Sequence, residues 1–208
     1  MVEEPMTNGP ERDEELLARI RSGDEEAFLS LYRRRQAGIY RFALHMSGGR
    51  ELAEDITQEV FMALLRDQCG FDARRGTLSG YLFGIARKLV LRHLERGRLD
   101  TALDEAAESA CLPGPAGAGD PLVDLTYRER IDSLRRAVET LPRRYREVVV
   151  LCDLEELDYA DAAVVLDCPI GTVRSRLHRA RAMLLDKLNQ ERHPRAAVNA
   201  LKPIRCAI

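Results

Sequence analysis

The sequence predicts an all-α protein of two small helical domains, an N-terminal helix bundle and a C-terminal helix-turn-helix domain, joined by a flexible linker. Three observations predict it. Apolar residues recur at steps of three and four through most of the chain, the period of an amphipathic helix. Charged residues make up 32% and aromatics only 5%, a balance that favours helices over strands. The run Pro113-Gly114-Pro115-Ala116-Gly117-Ala118-Gly119 cannot hold a helix and divides the pattern in two.

The first block, 13–98, reads as four helices. Leu16, Leu17 and Ile20 begin a short one that stops at Ser22-Gly23. Asp24 is placed to cap the next helix, with Glu25 and Glu26 favourably set in its first turn. That helix carries Ala27, Phe28, Leu31, Tyr32, Ile39, Phe42, Ala43 and Met46 on one stripe and ends at Gly48-Gly49. Leu52, Ile56, Val60 and Leu64 mark a third helix, and Leu78, Leu82, Ile85 and Leu89 a fourth.

Residues 99–127 read as a flexible acidic linker. Asp100, Asp104, Glu105, Glu108, Asp120 and Asp124 fall there with no lysine or arginine. The second block, 128–190, contains a short helix of small residues (Ala160, Ala163, Val164 and Leu166) broken by Asp167-Cys168-Pro169. Aspartate tolerates the left-handed backbone that a sharp turn demands. A longer helix then sets Ile170, Val173, Leu177, Ala180, Leu184 and Leu188 on one face. Short helix, tight turn, longer helix is the helix-turn-helix arrangement, whose second helix enters the DNA major groove. Residues 191–208 form a basic tail of unknown role.

Charge narrows the function. Thirty-two basic and 34 acidic residues leave a net charge of −2, so nucleic-acid binding must come from local segregation. Such segregation is present. No acidic residue lies between Ile170 and Arg181, and Arg174, Ser175, Arg176, His178, Arg179 and Arg181 face outward from the apolar stripe. Just before it, Asp153, Glu155, Glu156, Asp158, Asp161 and Asp167 make an acidic approach. A second basic stretch, 74–98, sets seven lysines and arginines against Glu95 alone. Phe71, Tyr81 and Phe83 lie in or beside it, a mixture suited to single-stranded DNA. The third helix is the opposite: Glu51, Glu54, Asp55, Gln58 and Glu59 suit a basic protein partner.

Other classes are disfavoured. The remaining carboxylates fall at helix positions expected to face solvent, and the four histidines are scattered without a catalytic motif, so no enzyme is expected. Cys69, Cys111, Cys152, Cys168 and Cys206 contain no C-x-x-C, so neither a disulfide framework nor a metal site is expected, and no cofactor. The first fifteen residues lack the basic and apolar stretches of a secretory signal. The apolar run 148–152 is far short of the ~20 residues that span a bilayer. A cytoplasmic protein is expected.

The order of the segments resembles a sigma factor of RNA polymerase, of the small extracytoplasmic-function (ECF) group that keeps only regions two and four. Gly23-Asp24-Glu25-Glu26-Ala27-Phe28 resembles the opening of region two. Ala53-Glu54-Asp55-Ile56-Thr57-Gln58-Glu59-Val60-Phe61 resembles the segment that grips the polymerase clamp, which implies core binding by Asp55, Gln58, Glu59 and Phe61. Tyr81-Leu82-Phe83-Gly84-Ile85-Ala86-Arg87 resembles the helix that opens and reads the −10 element. The implied contacts to single-stranded −10 DNA are Phe71, Arg75, Tyr81, Arg87, Lys88 and Arg92. Leu141-Pro142-Arg143-Arg144-Tyr145-Arg146 and Gly171-Thr172-Val173-Arg174-Ser175-Arg176 resemble region four, the second being the helix that reads duplex −35 DNA. The sequence departs from the family where Tyr81 replaces the usual tryptophan, Lys88 and Arg92 replace asparagine and aspartate, and Asp167 stands for a common glycine. The resemblance implies bacterial core RNA polymerase, promoter DNA and an anti-sigma factor as partners, with no small-molecule substrate. The rival from residues alone is a stand-alone helix-turn-helix repressor, which would bind duplex without polymerase.

Overall fold

The structure is a computed structural model and describes residues 12–66, 70–100 and 131–192. The tail after 192, Cys69, Cys111 and most of the acidic linker lie outside the described residues. The described residues form helices α1 (Asp13–Arg21), α2 (Glu25–Ser47), α3 (Arg50–Arg66), α4 (Leu78–Asp100), α5 (131–139), α6 (Arg143–Val149), α7 (Tyr159–Leu166) and α8 (Ile170–Arg192). A π-helical turn, Val150–Leu154, continues α6.

The N-terminal bundle follows its apolar stripes. Asp24 caps α2, its carboxylate accepting from the Glu26 and Ala27 amides at 3.0 and 3.1 Å. Gly48 ends α2 in the left-handed conformation at φ 74°, where a Cβ would be strained. Leu31, Ile39, Phe42 and Ala43 of α2 are buried with Ile56, Val60 and Leu64 of α3 and Leu78, Leu82 and Leu89 of α4. Phe83 joins that core, edge-on to Phe42 at 5.7 Å. α1 is tied down by a buried carboxylate. Asp13 accepts from Arg34 Nη1 at 2.8 Å and Arg35 Nε at 2.6 Å.

In the second bundle α8 packs on α6 and α7. Val173, Leu177, Ala180 and Leu184 form the buried stripe, whereas Ile170 at its start is exposed. The inward face of α7 differs from the sequence expectation: Ala162, Val165 and Leu166 are buried, and Val164 and Ala160 face out. The turn is as expected. Asp167 adopts φ 51°, ψ 53°, and the Cys168 amide closes back on the Ala163 carbonyl at 3.0 Å. Replacing Asp167 with valine, which resists that conformation, is expected to cost about 1–2 kcal/mol in urea unfolding, while Asp167→Gly is tolerated.

The two bundles touch. α4 packs on α7, and α2 meets α6 and the π-helical turn. This contact buries carboxylates that the sequence placed at solvent-facing positions. Glu147 and Asp161 are buried, and the Glu155 side chain is only 4% exposed. A helical period cannot show that such residues find cationic or hydrogen-bonding partners on a different module.

Candidate nucleic-acid interface

The face of α8 opposite its buried stripe carries Arg174, Ser175, His178 and Arg179, all exposed, with Arg176 half-buried. Small or apolar residues at Val173, Leu177 and Ala180 hold this helix close to the body, so the arginines project outward. Arg174 lies over the Tyr159 ring at 6.0 Å from its centroid. Arg181 stands apart from the set. Asp153 engages it twice, at 3.1 and 2.5 Å, and this pairing holds the guanidinium's pKa above its ordinary value. Arg181 therefore clamps α8 to the end of the π-helical turn.

One residue, Arg144, widens the basic face beyond the sequence assignment. Arg144 stacks over Tyr145 at 4.8 Å, and Arg179 hydrogen-bonds the Tyr145 side chain from α8. The Arg179 hydrogen bond, aided by the Arg144 charge, pulls the phenol below its usual pKa range. The available signal was the Arg143-Arg144 pair after Pro142, where α6 begins beside the recognition helix.

The N-terminal bundle offers a second basic surface. Arg75, Lys88 and Arg92 are exposed, and Phe71 and Tyr81 are half-buried with their rings 5.7 Å apart. Arg87 is only partly accessible. Its Nε donates to Glu147 and its Nη1 to the Val165 carbonyl, each at 3.3 Å. A cavity of about 440 Å³ lies between this surface and α7, lined on one side by Phe71, Tyr81 and Lys88 and on the other by Val164 and Val165. Basic charge beside aromatic faces can hold an unstacked strand, with cations on phosphates and rings on bases.

The acidic surface is on α3. Asp55, Gln58 and Glu59 are exposed at helical spacing and share one strip. Phe61 is different: it is 2% exposed, packed edge-on against Tyr32 at 4.7 Å and Phe28 at 6.3 Å. Its ring is turned into the bundle against α2 and is not presented on the acidic strip.

His45 lies where the two bundles meet and titrates oddly. Its side chain is 8% exposed, and burial, with the charges of Arg135, Arg146 and Arg41, lowers its pKa to about 4. The unfolded imidazole, near pKa 6.5, takes the proton first as pH falls. The His45 contribution to stability is therefore complete above about pH 6.5 and drops by about 2 kcal/mol by pH 5. Urea midpoints at pH 7.5 and pH 5 test this, and His45→Gln should flatten the difference.

A family model for sigma-70 region 2 matches residues 31–99, and one for sigma-70 region 4 matches residues 131–184. The ECF RNA polymerase sigma factor SigE of Mycolicibacterium smegmatis is 37% identical over 174 residues, 80% of this chain and 65% of that protein. The chain thus spans somewhat less than two thirds of that relative's length. The RNA polymerase sigma-H factor of Pseudomonas aeruginosa is 33% identical over 182 residues, 82% of this chain and 91% of that protein. Among solved structures, the sigma factor RpoE in complex with the anti-sigma factor NepR from Bartonella quintana superposes with a TM-score of 0.65 at 26% identity. It covers 78% of this chain and 96% of its own.

Proposed function

The chain belongs to the extracytoplasmic-function group of RNA polymerase sigma factors, and from that premise we propose that it directs promoter-specific initiation through three separate surfaces. The acidic strip of α3, Asp55, Gln58 and Glu59, docks on core polymerase. Arg174, Ser175, His178 and Arg179 of α8 read duplex DNA at the −35 element, with Arg176 and Arg144 beside them on phosphates. Phe71, Arg75, Tyr81, Arg87, Lys88 and Arg92 hold the opened −10 strand.

The mechanism is recruitment by binding, with no bond made or broken by the factor. Docking on polymerase fixes the spacing of the two DNA-reading modules, so that a weak contact at each element becomes a tight joint one. Unstacking each base step costs a few kcal/mol, and capture of the extruded base by Phe71 and Tyr81 offsets it. The net charge of −2 gives little non-specific attraction to DNA, so promoter binding depends on polymerase. The factor acts in the cytoplasm, where polymerase and chromosome meet, and an anti-sigma factor restrains it, as NepR partners the Bartonella protein. Among the described residues no helix is long and apolar enough to cross a membrane.

One observation carries this reading above the repressor. Both the acid-free stretch 170–181 of the recognition helix and the separate basic-aromatic surface lie within segments matched by sigma-70 models, 131–184 and 31–99. A stand-alone repressor leaves the N-terminal bundle without a purpose. Permanganate footprinting on the chain's own upstream region tests strand opening. Reactive thymines near −10 are expected only when chain and core polymerase are both present. Duplex protection by the chain alone, without opening, would favour the repressor.

A further inference from the structure

Two arginines of α8 share one tyrosine and use it differently. Arg174 and Arg181 are seven residues apart, so about two turns of helix set them on the same side of α8. Tyr159, the first residue of α7, is exposed and reaches both. Its hydroxyl accepts a hydrogen bond from the Arg181 guanidinium. The Arg174 guanidinium lies over its ring, 6.0 Å from the centroid.

The two guanidiniums are left with different capacities. Asp153 accepts from Arg181 Nε and Nη2 at 3.1 and 2.5 Å, which occupies the fork an arginine needs for a base edge. Arg174 meets an aromatic face instead, and among the described residues no carboxylate pairs with it. Attraction to the ring takes none of its five N–H donors away from an incoming acceptor. A long side chain held this way beforehand also loses less rotamer freedom when it docks. Position agrees with this division. The N-terminal part of a recognition helix meets base edges, and Arg174 lies in the first half of α8 whereas Arg181 does not.

We propose that Tyr159 is a positioning residue for −35 recognition: its ring holds Arg174 ready for a base edge, while the Asp153–Arg181 pair fixes the ring through its hydroxyl. The proposal rests on the assignment of Arg174 to duplex −35 DNA. Tyr145 is used in a similar way, with Arg179 on its side chain and Arg144 over its ring at 4.8 Å. Tyr145 is 6% exposed, so replacing it enters the core. Tyr159 is exposed and separates positioning from packing.

The test reads base preference, which a merely structural role would not shift at one place. Holoenzyme assembled from bacterial core polymerase and the full chain selects from a pool of random-sequence duplex fragments, and sequencing the bound fraction gives the preference at each −35 position. Arg174→Ala should flatten the preference at the base pairs that Arg174 reads. Tyr159→Leu, which keeps an apolar side chain without a ring, should lower the preference at those same base pairs about fivefold and leave the other positions unchanged. Tyr159→Phe retains the ring face and should stay within about twofold of the native preference. Equal weakening at every position would overturn the proposal. So would an unchanged leucine variant beside a flattened Arg174→Ala, or a phenylalanine variant as poor as the leucine one. An Arg174→Ala chain that flattens nothing would overturn the −35 assignment, and the positioning role with it. Should a melting curve show that Tyr159→Leu does not fold, Tyr159→Gln decides by the same comparison.

Discussion

Arg174→Ala combined with Arg179→Ala is expected to remove promoter-directed starts in run-off transcription while leaving polymerase binding intact. The two side chains are exposed on the acid-free face of α8, about 1.4 turns apart along the helix. A bidentate arginine contact to a base edge gives about 1–3 kcal/mol of discrimination. Losing two such contacts lowers specific transcript yield by about thirtyfold at the least, at polymerase concentrations below saturation. Arg179 also holds Tyr145, so a melting curve must accompany the assay. Arg174→Lys supplies the discriminating control. A lysine keeps the charge for a phosphate but not the planar fork for a base, so it restores little if Arg174 reads sequence.

Asp55→Arg with Glu59→Arg is expected to abolish capture of the factor by core polymerase. Both residues are exposed on α3, and its opposite side buries Ala53, Ile56, Val60 and Leu64. Reversal therefore changes the surface without entering the core. Placing like charges against a basic partner costs several kcal/mol, which corresponds to about a hundredfold or greater loss in affinity. The melting temperature should stay near that of the native chain. Phe61→Ala should behave oppositely. Removing a buried phenylalanine costs about 3–5 kcal/mol of stability, and any loss of polymerase binding follows from the weakened bundle. Fluorescence anisotropy with core polymerase, paired with thermal melts, distinguishes the two kinds of variant.

Local features were readable in the sequence because their causes are local. Asp24 caps α2 with its carboxylate on two amides within three residues, so the capping residue and the helix start could be named together. Asp167 turns the chain by its own backbone preference, and the stripe from Val173 to Leu184 follows from helical period. The same reasoning misplaced groups whose partners are distant. Asp161 and Thr77 are 84 residues apart, and Glu155 and Arg41 are 114 apart. Read alone, the acidic run before α8 is a solvated approach; folded, it supplies Asp153 to Arg181 and two carboxylates to region two. Candidate sites show the same division. Exposed Arg174 and Asp55 lie where periodicity puts them, whereas Phe61 is drawn inward by Phe28 and Tyr32, and Arg87 is engaged by Glu147.

Run-off transcription with bacterial core polymerase, on genomic fragments that include the chain's own upstream region, tests the central claim most directly. Discrete starts that require the chain, and that disappear with Arg174→Ala and Arg179→Ala, are the predicted result. Those starts also locate the −10 and −35 sequences that the two basic surfaces read. Starts that are the same with and without the chain, together with tight duplex binding by the chain alone, would contradict the account.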